Sequence, residues 1–288
     1  MKCLVLGATG MLGRALVAEA RRRQIDTVGA GRSGPDVKVD MCDEVALREA
    51  VARIGPAVVI NSAALVGLAE CESRPDVAYA VNARAVALLV ELCREHSTRL
   101  VQVSTDHYFS DDGRVRHDEH APIRLVNEYA RTKLAGEAFA LTRSDSLVIR
   151  TNVTGFRGND RAPTFVEWAI TAIEADERMT LFDDFYTSTM AARDFAIALF
   201  DLIESRASGL LNVASSQVAS KREFVEALAE RLGCPLSNPV SGSVWELRPR
   251  RAESLGLDVR RAEQRLGRPL PGLLESVETL VSSRPAPV

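Results

Sequence analysis

Apolar positions follow two rhythms along this chain. The short runs KCLVL, DTVGA, VKV, AVVIN, RLVQVS and SLVIR read as buried strands bounded by turn-forming or polar residues. Between most of them apolar residues recur at helical spacing, first at Met11, Leu12, Ala15, Leu16 and Ala20, then near 44–54, 76–96 and 127–142. Strands alternating with helices of this length predict an α/β fold, a doubly wound parallel sheet covered on both faces. From about Thr151 the alternation fades, and helix-like runs appear near 164–175, 193–205 and 220–232. The expected organisation is a first domain over 1–150, rejoined by about 190–215, and a smaller, interleaved C-terminal lobe over 151–288. The closing SSRPAPV is polar, contains proline and reads as frayed.

Composition narrows the classes. The 288 residues are 46% hydrophobic and 26% charged, as expected of a globular enzyme. A formal net charge of −3 offers no general attraction to nucleic acid or a membrane surface. No apolar run approaches the roughly 20 residues that span a bilayer. The apolar stretch Cys3 to Leu6 is too short for a signal-peptide core, so the cytoplasm is the expected compartment. Cys3, Cys42, Cys71, Cys93 and Cys234 are odd in number, scattered and without a CxxC pair, which predicts reduced, mostly buried thiols and no zinc site.

The first chemical signal lies between the first strand and helix, where Gly7, Gly10 and Gly13 form GxxGxxG. Gly7 allows the turn, Gly10 a close backbone approach and Gly13 tight helix–sheet packing, while the helix N-terminus would meet a pyrophosphate. Alone the motif also fits a tight turn without ligand; its place after the first strand of a βαβ pattern favours a nucleotide site. After the second strand GAGRSG has no acidic residue for ribose hydroxyls, and Arg32 stands where a cation could meet a 2′-phosphate, so NADPH is expected over NADH. In VDMCD, either Asp40 or Asp43 meets the adenine amino group while the other caps a helix, or both are caps.

The second signal is Tyr129 and Lys133, four apart in a predicted helix and so on one face. A nearby ammonium favours the tyrosine anion and lowers a pKa ordinarily near 10, making the phenol a usable acid or base. Thr105, at the end of a strand, could hydrogen-bond a reacting carbonyl oxygen. YxxxK alone would read as a surface pair; its combination with the glycine turn favours chemistry.

GxxGxxG, NSAA after a strand, STD at a strand end and YxxxK downstream together resemble the extended short-chain dehydrogenase/reductase family. More narrowly, INSAALVGLAECESRPDVAYAVN, STDHYF, YARTKLAGE and VIRTNVTGF resemble the dTDP-4-dehydrorhamnose reductases in order and spacing, and RDFAIALFDLIESRASGLLNVASS and LRPRRAESLGLD extend the likeness over nearly the whole chain. The resemblance implies a Rossmann domain, a nicotinamide cofactor and a catalytic Thr105, Tyr129 and Lys133. Cofactor contacts are then expected from Gly7, Thr9, Gly10, Met11, Leu12 and Gly13 in the first turn. Arg32, Asp40 and Met41 follow, then Asn61, Ala63, Ala64, Asn82 and Lys133. Substrate contacts are expected from Ser104, Asp106, His107 and Asn152. The reductases of that group read closer to STDYVF and RTSWVYG where this chain has STDHYFS and RTNVTGF, so the departures fall around the sugar pocket.

Other features have plainer readings. HDEH at 117–120 lies in a predicted polar loop without convergent ligands, and no metal is expected. Arg248 and Arg250 could hold a diphosphate, whereas Arg260, Arg261 and Arg265 read as a solvated helix face. Trp245 could stack on a base but reads better as a core residue of the small lobe. The expected function is an NADPH-preferring reductase of a nucleotide-activated 4-keto-6-deoxysugar, with a homodimer left open as its assembly. The competing readings are an epimerase or dehydratase of the same family, or a non-catalytic regulatory subunit with this fold.

Overall fold

The computed structural model describes residues 1–158 and 162–285. The chain runs β1 (Lys2–Leu6), α1 (Met11–Arg22), β2 (Asp26–Gly31), β3 (Val37–Lys38), α2 (Glu44–Ile54), β4 (Val58–Asn61), α3 (Leu68–Ser73) and α4 (Pro75–Tyr79). A π-turn over Ala80–Arg84 leads into α5 (Ala85–Glu95), β5 (Arg99–Val103), α6 (Glu128–Ala140) and β6 (Leu147–Arg150). Then come β7 (Val153–Thr154), α7 (Phe165–Glu174), β8 (Met179–Phe182), β9 (Tyr186–Thr187), β10 (Met190–Ala191) and α8 (Ala192–Glu204). The remainder is β11 (Gly209–Asn212), β12 (Ala219–Ser220), α9 (Lys221–Leu232), β13 (Pro239–Gly242), β14 (Ser254–Leu255), α10 (Arg260–Leu266) and α11 (Leu273–Ser282).

Among the described residues, seven strands form the main sheet in the order β11-β6-β5-β4-β1-β2-β3, and β6 through β3 pair in parallel. Strand order reverses at β1, which has β4 on one side and β2 on the other, so the carboxyl ends of β1 and β4 open a crevice at the switch point. Leu4, Leu6, Val59, Leu100 and Val148 on the strands pack with Leu47, Val51, Leu89 and Leu92 on the helices. Each such fully buried aliphatic side chain contributes about 1.5–3 kcal/mol over its exposed state. No helix of the described residues is long and apolar enough to cross a membrane.

The chain divides into two compact units, each discontinuous in sequence. The first comprises 1–105, 125–150 and 200–211 and holds most of the main sheet; the second comprises 106–124, 151–199 and 212–288. Residues 106–124, counted with the first domain in the sequence reading, cluster with the second unit for a physical reason. Ser110 Oγ donates to Glu253 (2.8 Å), Asp112 N to Ser254 Oγ (2.9 Å) and His117 N to Gly256 O (2.9 Å). The second unit has its own apolar core, with Ile170, Ile173, Leu181, Phe224, Leu228 and Val277 among its buried members. Thr164 and Ser220 begin α7 and α9 with reciprocal bonds to Glu167 and Glu223, the capping-box arrangement.

The helical stretch expected near 76–96 is present as α4, a π-turn and α5. Three expectations are corrected here. HDEH is not a solvated loop: His117 and Glu119 are buried, His117 Nδ1 donating to Gly256 O (2.9 Å) and Glu119 accepting Asn212 N (3.0 Å). Trp245 is 44% exposed, because the short turn carrying it buries Val244 in its place. The start of SSRPAPV is held, Ser283 Oγ donating to Thr279 O (2.6 Å) and Arg284 Nη2 to Glu174 (2.8 Å), while residues 286–288 lie outside the described residues.

Candidate active site

The glycine turn is built for close approach. Gly7 has φ +79°, and a Cβ there would lie 2.7 Å from Ala63 N, so the ends of β1 and β4 touch only because position 7 has no side chain. A Cβ on Gly13 would collide with Gly7 O. Gly10 is the N-cap of α1 and makes no side-chain cap bond, and the helix has no acidic residue in its first turn. The first-turn N–H groups and the positive end of the helix therefore suit a pyrophosphate. Gly7 N and Ala8 N both donate to Ala30 O (2.9 and 3.1 Å), and a Cβ on Gly31 would come within 3.9 Å of Thr9 Oγ1. Arg32, the next residue, is exposed beside this turn. Asp36, the acidic residue that follows β2, is exposed, and its carboxylate accepts Gly29 N (2.7 Å).

Asp43 caps α2 through Ala46 N (3.0 Å), and Asp40 accepts Cys42 N (2.9 Å) in a local turn that leaves Met41 buried. Asn61 and Asn82 each bond groups of the protein itself. Asn61 Nδ2 donates to Gln102 Oε1 (2.8 Å) and its Oδ1 accepts Ala63 N (3.1 Å), fixing the strand-to-loop exit through Ala63 and Ala64. Asn82 accepts Leu65 N (2.8 Å) and donates to Leu65 O and Thr132 Oγ1 (3.0 Å each). It clamps the loop after β4 to the π-turn and to α6, where a Cβ on Gly136 would collide with Asn82 O. The clamp accounts for the interrupted helix, since the extra residue of the turn lets Asn82 reach Leu65 while α5 continues.

The buried face of α6 is polar: Thr132, Lys133 and Glu137 lie on it with Ala130, Gly136 and Ala140. Asn127 caps the helix through Ala130 N (2.9 Å) and thereby starts it two residues before Tyr129, which is half-buried. Lys133 Nζ donates to Val103 O (2.7 Å), the last residue of β5, which brings the ammonium to the strand end that continues into Ser104 and Thr105. Burial lowers the pKa of Lys133 from 10.5 to about 8, with Glu137 acting the other way.

Ser104 Oγ donates to Glu137 Oε2 (2.8 Å). Arg150 at the end of β6 donates to the same carboxylate from Nη2 (2.6 Å) and Nε (3.1 Å), and Arg150 and Glu137 are each 2% exposed. Sequence reading missed Glu137 and Arg150. Glu137 is one turn beyond Lys133, a spacing that could have flagged it.

In the second unit Asn152 is also engaged at both ends of its amide. Its Nδ2 donates to Asp106 Oδ2 (2.5 Å), and its Oδ1 accepts Thr189 Oγ1 (2.8 Å). Asp106 is buried, and burial together with the charges of Arg251 and Lys221 lowers His107 from 6.5 to about 4, keeping the imidazole neutral. Arg248 does not present a free guanidinium: Nη1 donates to Trp245 O (2.8 Å) and Leu247 O (2.9 Å). Arg250 stacks 5.2 Å from the Trp245 ring centroid, with Asp111 at 3.9 Å.

Comparison with known proteins bears on this arrangement. Residues 1–284 match the family described as the RmlD substrate binding domain. The chain belongs to that family. It is 31% identical to the probable low-salt glycan biosynthesis reductase Agl14 of Haloferax volcanii over 297 residues, 97% of each chain. It is also 31% identical to the dTDP-4-keto-6-deoxy-D-glucose reductase of Streptomyces niveus over 256 residues, 86% of each. Among solved structures, the dTDP-4-dehydrorhamnose reductase of Bacillus anthracis in complex with NADP superposes with a TM-score of 0.88 at 22% identity, covering 98% of this chain and 99% of that one. For this RmlD-family chain that likeness carries the fold.

The buried Glu137–Arg150 pair generates a stability prediction. Glu137→Ala leaves the Arg150 guanidinium buried without its carboxylate and should cost about 3–5 kcal/mol. Chemical unfolding monitored by circular dichroism measures it, and a loss within 1 kcal/mol, roughly the worth of an exposed pair, would contradict the assignment.

Proposed function

We propose that this chain is an NADPH-preferring 4-ketoreductase of a dTDP-linked 4-keto-6-deoxysugar, with Thr105, Tyr129 and Lys133 as its catalytic residues. The observation that carries the reading is the Lys133 Nζ–Val103 O bond, which sets the ammonium of YxxxK at the strand end leading to Thr105. Membership of the RmlD family, with a 4-keto-6-deoxy-D-glucose reductase among its relatives, supports the substrate class. The dinucleotide pyrophosphate would lie on the first turn, from Gly7 to Gly13 including Thr9, Met11 and Leu12. Arg32 would meet the 2′-phosphate, and Ala63 and Ala64 would line the cofactor beside that turn.

When bound, the reduced nicotinamide supplies a hydride to the carbonyl carbon. Thr105 hydrogen-bonds the carbonyl oxygen as negative charge develops there, and Tyr129 gives that oxygen its phenolic proton, so that the ketone becomes a secondary alcohol. Lys133 lowers the cost of the resulting phenolate by its charge. His107, neutral at working pH, can donate or accept one hydrogen bond to a sugar hydroxyl without adding charge.

The reading is tested by NADPH oxidation against nucleotide-linked 4-ketosugars. Tyr129→Phe keeps the ring but not the proton, and should reduce turnover by roughly 10²-fold or more with NADPH binding retained. Near-normal turnover would remove Tyr129 as the acid. Lys133 is protonated below about 8 and loses its proton as pH rises through that value. The pH–rate profile should therefore fall across this range, and Lys133→Arg, whose cation persists, should flatten the fall. The unmodified protein should bind NADPH more tightly than NADH by calorimetry, and Arg32→Ala should narrow the gap by about 1.5–3 kcal/mol, the worth of a charge-assisted contact. Equal affinities for the two cofactors in the unmodified protein would refute the role of Arg32.

A further inference from the structure

A pocket of about 430 Å³ lies away from the crevice at the carboxyl ends of the strands, lined by Arg94, Ser97, Thr142, Arg143, Ser144 and Asp145. Arg94 and Ser97 stand where α5 passes into β5, and 142–145 where α6 passes into β6, so the pocket opens at the amino ends of those strands. All six residues belong to the first unit.

Arg143 is fixed in place there. Its Nε and Nη2 donate to the two oxygens of Asp145 (2.9 and 2.6 Å), Nη2 also donates to Thr98 O (3.1 Å), and the side chain is 11% exposed. Its Nη1 is buried with no hydrogen-bond partner, a donor that is costly to leave unmet. Arg94 is exposed, and among the described residues neither its guanidinium nor the hydroxyls of Ser97 and Ser144 has a hydrogen-bond partner.

Arginines near the end of a helix commonly cap its last carbonyls, but here the backbone already meets them. Leu92 O, Cys93 O and Arg94 O accept His96 N, Thr98 N and Ser97 N, while Glu137 O, Phe139 O and Ala140 O accept Leu141 N, Thr142 N and Arg143 N. The nearby carboxylates are committed as well, Asp145 to Arg143 and Glu95 to Arg48 (2.6 Å). Arg99, whose N–H groups go to Asp145 O, Ile203 O and Ala207 O, adds a further positive charge beside Asp145.

We propose that this pocket binds a phosphate group, either as the free ion or carried by a small molecule as a monoester. Two guanidinium groups and several hydroxyls suit its oxygens, the positive balance suits its charge, and the volume is that of a small-molecule site. The site shares no residue with the proposed cofactor and sugar contacts and does not rest on the proposed function.

Calorimetric titration of the full chain in excess NADPH tests the proposal, with inorganic phosphate, glycerol 3-phosphate and, as the phosphate-free probe, glycerol. Both phosphates should bind the unmodified chain and glycerol should not, and the tighter of the two tells whether the ion or a monoester is the ligand. Arg94→Met and Arg143→Met should each weaken that binding by ~10-fold or more. Ser144→Glu brings a carboxylate to the pocket from an exposed position with the Arg143–Asp145 pair intact, and should weaken it likewise even where Arg143→Met fails to fold. These comparisons hold whether or not NADPH occupies the glycine turn. Equal phosphate affinity in the unmodified chain, Arg94→Met and Ser144→Glu would overturn the site, as would no heat from the unmodified chain up to about 10 mM of either phosphate.

Discussion

A carboxylate buried between a helix and a sheet is tolerated only where its oxygens are met, and Glu137 on α6 is met by Arg150 from β6 and by Ser104 from just after β5. These bonds tie one helix to two neighbouring strands at their carboxyl ends. Lys133, one turn earlier on α6, then has the Val103 carbonyl as its anchor, and burial alone would push its proton off sooner than Glu137 allows. The strand end, the helix register and the charge on the lysine are thus consequences of a single buried ion pair. Such a pair adds little net stability compared with apolar packing, but it admits one alignment of the helix, which is the property a proton-transfer site requires.

The alternation of strands and helices was legible because each apolar run was short and each helix had one buried face; α2 lies at 44–54 as its periodicity indicates. The GxxGxxG turn was legible for a different reason: close approach by backbone restricts the residue type itself, as Gly7 against Ala63 shows. Polar side chains were harder to place. Ser104, Asn61, Asn82 and Asn152 stand at positions that suggest ligand contact, and each also hydrogen-bonds a group of the protein itself. Sequence records that an amide is present near a site and not which buried N–H it must satisfy. Among the arginines spacing was equally silent, since Arg248 and Arg251 are three apart, yet Arg248 is exposed and bonds two carbonyls of its own loop while Arg251 is half-buried.

In the second unit hydrogen bonds run in one direction, from Lys221 to Thr189, from Thr189 to Asn152 and from Asn152 to Asp106. Each hydroxyl or amide both gives and receives, so rotating one group would break two bonds, and the carboxylate at the end is oriented by residues far from it in sequence. Neutral His107 lies within reach of the same charges without adding to them.

The π-turn at 80–84 bears on how this chain tolerates change in length. One residue more than an α-helix needs is absorbed there, and everything downstream on α5 is rotated by about 100° relative to an uninterrupted helix. Loss of a single residue in that turn would not simply shorten the segment. It would swing Leu89, Leu92 and Cys93 out of the core they share with β5's neighbours, so the segment behaves as a ratchet tooth whose spacing the rest of the helix inherits.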